Sequence, residues 1–238
     1  MRNMIIASTS TIHGTDYLSY LLPDIMEVFK KQSVKNLLFI PYARPGGISH
    51  DTYTDKVKTA FKDTEIEVQG IHEFKNPKEA IENAEAIFTG GGNTFVLVKM
   101  LYDLEIMSSL RKQLYAGTFY IGTSAGSNIC GLNMRNTNDM PIVMPPNFKT
   151  MGAVGYNINA HYLDPEPSST HMGETREERI KEFHCYNNLP VVGLREGSYI
   201  RVQNEKEMLC GIHTARIFQQ NKNAMEVPSG YNFAELLK

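Results

Sequence analysis

The chain has 238 residues, which at about 100–200 residues per domain allows one large or two small domains, each with enough chain to bury a core unaided by disulfides or metals. With 42% hydrophobic and 21% charged residues, it is excluded from the disordered, fibrous and coiled-coil classes. Twenty-four basic against 26 acidic side chains leave a net charge of -2, which argues against a broad electrostatic surface for nucleic acid or an anionic membrane.

In chain order, the first half alternates short apolar runs with helical patterns, the signature of parallel βαβ units. Met4-Ile5-Ile6-Ala7-Ser8 reads as a first strand. The stripe Leu18, Leu21, Leu22, Ile25, Val28 and Phe29 reads as a helix, with Pro23 and Asp24 marking the start of its regular part. Leu37 to Ile40 is a buried strand, and a helix over Asp51 to Lys62 leads to a strand near Ile66 to Ile71. Asn76-Pro77-Lys78-Glu79 predicts a capped helix start, with the glutamate reaching back to the cap and the helix running to Ala84.

Ala86 to Thr89 is another strand, running into Gly90-Gly91-Gly92-Asn93 and a helix carrying Phe95, Leu97, Val98, Met100 and Leu101. The strand Thr118 to Ile121 ends in Gly122-Thr123-Ser124-Ala125-Gly126. From Asn133 to Glu174, prolines break every long element, and an irregular stretch of this length inside a compact domain is usually functional. Thr175-Arg176-Glu177-Glu178 is a capping box opening a helix to about Tyr186. A strand at Pro190 to Leu194 and short strands at Tyr199 to Gln203, Met208 to Ile212 and Ala215 to Gln219 close the chain. No linker or repeat divides it, so residues 1–238 read as one domain.

Cys130, Cys185 and Cys210 are odd in number and far apart, which suits reduced packing thiols in a cytoplasmic protein. The apolar run Met4 to Ala7 is too short for a signal-peptide core. The uncharged stretch Gly117 to Met134 is broken by four glycines and several polar residues, so no membrane span is expected.

Gly122-Thr123-Ser124-Ala125-Gly126 fits the G-x-S-x-G elbow of nucleophilic serines, between a buried strand and a helical segment as that turn requires. An elbow strains the serine backbone and brings its flanks close, so the outer positions must lack bulk. A strand-to-helix turn that merely favours small residues has the same pattern. Gly90-Gly91-Gly92-Asn93 would lie on the same carboxyl edge of a parallel sheet, so Gly92 and Ala125 N–H are the candidate oxyanion-hole donors. No G-x-x-x-x-G-K-[ST] or G-x-G-x-x-G pattern accompanies the glycines, which ranks nucleotide binding low. A serine needs a base, and spacing alone leaves His161 and His171 open.

These pieces, with Asn136 to Ile142, Asn157 to His161 and Gly173 to Ile180, resemble the peptidase E or aspartyl dipeptidase family of serine peptidases in order and spacing. The resemblance implies an α/β fold, with a mostly parallel sheet flanked by helices, similar to class I glutamine amidotransferase domains (flavodoxin-like), and short C-terminal strands. It implies metal-free, cofactor-free hydrolysis of dipeptides with N-terminal aspartate. By position it makes Ser124 the nucleophile, His161 the general base and Glu196 the acid orienting the imidazole, with Asp139 a second acidic site residue. On the residues alone, Glu196 would be a surface carboxylate paired with Arg195, and Asp139 a turn residue beside Asn138.

An aspartyl substrate brings a carboxylate and an ammonium, so Arg176, with Arg179 behind it, is the candidate for the former. Asp139 could hold the latter or tune the pocket, and Asn93 is a supporting residue of the pocket. Thr123, beside the nucleophile, could alter the pocket, and the proline-broken stretch Met140 to Lys149 could close over it as a lid. A small peptide is the expected partner, without nucleic acid or membrane, and a homodimer is compatible with the sequence. Three other readings stand beside this one: a cyanophycinase-like hydrolase of β-aspartyl bonds, a non-catalytic binding module of the same fold, and a metal hydrolase using His161, Asp164, His171 and Glu174.

Overall fold

A computed structural model describes residues 1–166, 168, 170 and 172–237; His171 lies outside the described residues. Five parallel strands, β1 (Asn3–Ala7), β2 (Asn36–Ile40), β3 (Glu67–Gly70), β4 (Ala86–Thr89) and β5 (Phe119–Thr123), build the centre of a seven-stranded sheet. The antiparallel strands β8 (Ser198–Gln203) and β9 (Lys206–Gly211) complete it in the order β3-β2-β4-β5-β1-β8-β9.

The reason is legible in the strands. Met4 and Ile6 pack on one face and Ile5 and Ala7 on the other, and both faces are dry, so no polar alternation is needed. Helices α1 (Leu22–Gln32), α2 (His50–Ala60), α3 (Pro77–Glu82), α4 (Thr94–Asp103) and α5 (Met107–Ala116) connect these strands. Leu18 is fully buried, but it sits at φ +61° in a turn before α1 rather than in the helix. In α3 the Asn76 side chain accepts from Glu79 N (3.3 Å), but Glu79 meets the Asn76 amide instead of its backbone, and the helix stops at Glu82. Sequence reasoning passed over α5. Its stripe Met107, Leu110 and Leu114 is regular, and the break from α4 falls at Glu105, a left-handed residue (φ +56°) that neither Gly nor Pro announces.

The C-terminal strands do not all join one sheet. Four strands, β6 (Asn157–Ala160), β7 (Val191–Leu194), β10 (Ala215–Phe218) and β11 (Met225–Val227), form a second sheet in the order β11-β10-β7-β6. Helix α7 (Arg176–Tyr186) precedes β7, and its Thr175–Glu178 box has both reciprocal bonds, at 2.6 and 3.2 Å. One apolar core spans both sheets: Met4 and Ile6 of the first share a cluster with Ile158, Val192 and Ile217 of the second. Pairing between strands so distant in sequence is a tertiary outcome, which periodicity does not encode. Among the described residues, no helix is long and apolar enough to cross a membrane.

Arg195, just after β7, binds the second sheet together. Its guanidinium donates to both oxygens of Asp164 (2.8 Å each), to Glu226 (2.5 Å) and to the Thr214 carbonyl (2.9 Å), and stacks over the Tyr162 ring 5.5 Å from its centroid. These hydrogen bonds hold the Asp164 carboxyl below its ordinary range. A carboxyl that binds protons less readily folded than unfolded stabilises the fold above its unfolded pKa, about 3.9, and loses that contribution as pH falls through the lower folded value. Asp164→Asn should therefore lower the urea midpoint relative to wild type at pH 6, and the gap should narrow steadily as the pH falls below about 3.9.

Candidate active site

Adjacent strands β4 and β5 bring the glycine run and Ser124 to one carboxyl edge. Ser124 takes φ 52° and ψ −111°, a backbone that an L residue holds only under restraint from its surroundings. The restraint is steric: a Cβ on Gly122 would stand 2.5 Å from the Gly126 carbonyl, and one on Gly126 would stand 2.2 Å from the Thr89 carbonyl. The glycines thus let three chain segments touch. Gly91 presses on Ser124, with its Cβ position 2.9 Å from the serine Cβ, and Gly92 (φ +144°) abuts the Ala43 carbonyl. Thr123 is fully buried.

The helix after the serine, α6 (Ala125–Asn128), is a single turn, so it supplies individual N–H groups rather than the extended dipole that a long helix would offer. Neither Gly92 N–H nor Ala125 N–H donates a hydrogen bond among the described residues. Both remain available to a developing oxyanion.

His161 follows β6 and Glu196 follows β7, so the candidate base and acid come from the second sheet and the candidate nucleophile from the first. Ser124 Oγ lies 2.9 Å from His161 Nε2, and His161 Nδ1 lies 2.6 Å from Glu196 Oε1. An ionised carboxylate only accepts, so the Nδ1 proton faces Glu196 and leaves Nε2 as the acceptor toward the serine. The side chains of His161 and Glu196 are 37% and 51% exposed, which makes this an open site reachable from solvent. The pairing of Glu196 with Arg195, expected from the residues alone, does not occur, because Arg195 turns to Asp164 and Glu226. Asp164 has both oxygens committed to Arg195, which removes a member of the alternative metal-ligand set.

Asp139 meets the start of α4. One of its oxygens accepts from Thr94 N (2.8 Å), Thr94 Oγ1 (2.5 Å) and Thr137 Oγ1 (2.8 Å), which ties the long loop to a helix N-terminus. Asn93 caps the same helix through Val96 N (3.1 Å) and donates its amide to the Met140 carbonyl (2.8 Å), so it supports the loop rather than facing solvent. Arg176 forms no ion pair among the described residues. Burial and the neighbouring Arg179 both lower its pKa, opposed by the Asp139 charge. A partly buried, unpaired guanidinium is primed for an anionic ligand, whereas Arg179 lies 3.7 Å from Glu174.

Sequence reasoning missed the asparagines that hold this loop. Asn128 Oδ1 accepts from Ala160 N (3.3 Å), Asn136 donates to the Ile158 carbonyl (2.9 Å), and Asn159 donates to the Asn136 carbonyl (2.9 Å). Amides replace a ladder where β6 has a neighbour only on one side. The signal was a density of Asn inside otherwise buried segments, since a buried polar side chain has to find a partner.

Comparison with known proteins adds a second kind of observation. Peptidase family S51 matches residues 4–210. A Streptomyces coelicolor protein named "Peptidase E" is 45% identical over 235 residues, 99% of this chain and 95% of the relative. A Drosophila melanogaster protein named "Probable alpha-aspartyl dipeptidase" is 43% identical over 227 residues, covering 95% and 93%. The crystal structure of a peptidase from an acI-B1 actinobacterium superposes with a TM-score of 0.71 at 13% identity, over 98% of this chain and 96% of that one.

Proposed function

Because the chain belongs to peptidase family S51, we propose that it is a serine dipeptidase cleaving Asp-Xaa dipeptides with Ser124, His161 and Glu196 as nucleophile, base and orienting acid. The observation that carries this reading is the unbroken hydrogen-bonded run from Ser124 Oγ through the His161 ring to Glu196. His161 Nε2 takes the serine proton as Oγ attacks the scissile carbonyl, and the tetrahedral oxyanion accepts from Gly92 and Ala125 N–H. His161 then gives that proton to the departing amine, and water repeats the sequence on the acyl-enzyme. Glu196 stabilises the imidazolium in both halves. No cofactor enters these steps.

Arg176 receives the aspartyl side-chain carboxylate, and Asp139, whose field reaches Arg176, tunes that end of the pocket. The segment from Met140 to Lys149, fixed at its root by Asp139 and Asn93, carries the exposed side chains Met140, Ile142 and Met144 and serves as the lid that restricts the site to short peptides. The free thiols Cys130, Cys185 and Cys210 support a reducing, cytoplasmic setting.

The test is hydrolysis of Asp-Leu, β-Asp-Leu, Glu-Leu and Ala-Leu by the purified protein. Cleavage of Asp-Leu alone upholds the reading, and cleavage of β-Asp-Leu alone replaces it with the β-aspartyl one. Arg176→Ala should raise KM for Asp-Leu by about 10- to 100-fold, the worth of a charge-assisted hydrogen bond. An unchanged KM would remove Arg176 from the pocket.

A further inference from the structure

We propose that Ser8 is a positioning residue for the reaction at Ser124, and that the end of β1 holds nucleophile, base and acid in register. The inference rests on the triad reading above. The Ala7 carbonyl accepts from Ser124 N (3.1 Å) and from Ser127 Oγ (2.6 Å), which fixes the elbow. One residue later, Ser8 Oγ accepts from His161 N (2.9 Å) and donates to the Leu194 carbonyl (2.7 Å), two residues before Glu196. Two consecutive residues of the first sheet therefore touch the backbone that carries each member of the triad.

The chemistry restricts the choice of side chain. Ser8 is fully buried, and its place requires one group that accepts from one strand and donates to another; a hydroxyl does both. His161 needs this support most. It leaves β6 at φ +55°, a left-handed conformation in which a β-carbon is crowded, and its N–H points out of its own sheet toward β1. The Leu194 carbonyl also accepts from Tyr162 N (3.2 Å), so loss of the Ser8 hydroxyl leaves that acceptor satisfied but orphans the His161 N–H. The damage falls on the orientation of the base, while Arg176, proposed to meet the substrate, is untouched.

In steady-state kinetics, Ser8→Ala should lower kcat by about 10- to 100-fold and leave KM within about threefold, as misplacing a base by a fraction of an ångström does. Ser8→Thr, which keeps the hydroxyl, should recover most of the loss. A kcat for Ser8→Ala within about twofold of wild type, or a loss that only tracks the folded fraction from its melting curve, overturns the proposal. Should Ser8→Ala not fold, Ser8→Cys, similar in size but a weak hydrogen-bonder, is judged by the same outcomes. The rate of Ser124 labelling by a fluorophosphonate separates this idea from the substrate assignment. If the wild type cuts none of the four dipeptides but is labelled, the substrate reading fails, and slower labelling of Ser8→Ala still upholds the role of Ser8. Equal labelling rates would sink it.

Discussion

Ser124→Ala should reduce kcat for Asp-Leu by about 10,000-fold or more and leave the fold intact, the loss that follows removal of a nucleophile from a unit of mutually dependent groups. Among the described residues the side chain contributes one hydrogen bond, to His161 Nε2, so its removal costs little stability. The backbone supplies a second, opposite expectation. At φ 52° and ψ −111°, Ser124 holds a conformation that only glycine adopts freely, and alanine inherits the strain unrelieved. Ser124→Gly should therefore be as inactive as Ser124→Ala but more stable than it, by about 1–2 kcal/mol once the larger unfolded-state entropy of glycine is subtracted. Urea titration of the two variants measures the difference. A glycine variant no more stable than the alanine one would mean that the elbow stores no strain, and residual hydrolysis above the uncatalysed rate would move the nucleophile elsewhere.

Glu196→Gln is the second large effect. The carboxylate fixes the imidazole proton on Nδ1 because it can only accept. A glutamine that presents its amide N–H₂ to the ring selects the other tautomer, which puts a proton on Nε2 where the serine needs an acceptor. In a buried triad that change costs about 10,000-fold; with Glu196 half exposed, water competes for the ring and the expected fall in kcat is about 100- to 1,000-fold. Stability should hardly change, because Arg195 and Arg216, not Glu196, carry the arginine ion pairs around the second sheet. A kcat within about threefold of wild type would demote Glu196 to a surface carboxylate.

The parts legible in the sequence are those set by neighbours in the chain. The apolar strands β1, β2, β4 and β5, the box that opens α7 and the glycines flanking Ser124 each follow from local rules, and the structure has them where they were expected. The α4–α5 break escaped because a left-handed Glu105 gives no compositional sign. The division of the C-terminal strands between two sheets escaped because strand partnership is decided by long-range packing. The bond from His161 N to Ser8 Oγ spans 153 positions, and no spacing rule reaches that far. Family resemblance selected His161 over His171, which spacing leaves open, and raised Glu196 above the surface carboxylate that the residues alone suggest.

The split between sheets also orders events during synthesis. The elbow serine leaves the ribosome in the middle of the chain, while its base and acid belong to a layer whose last strands, β10 and β11, are among the last segments made. Even β1 waits for its second neighbour, since Asn3 pairs with Gln203 across nearly the whole length. A nascent chain thus carries an exposed hydroxyl but no hydrolase. A chain stalled before β7 has neither Glu196 nor the strand that β6 pairs with to place His161.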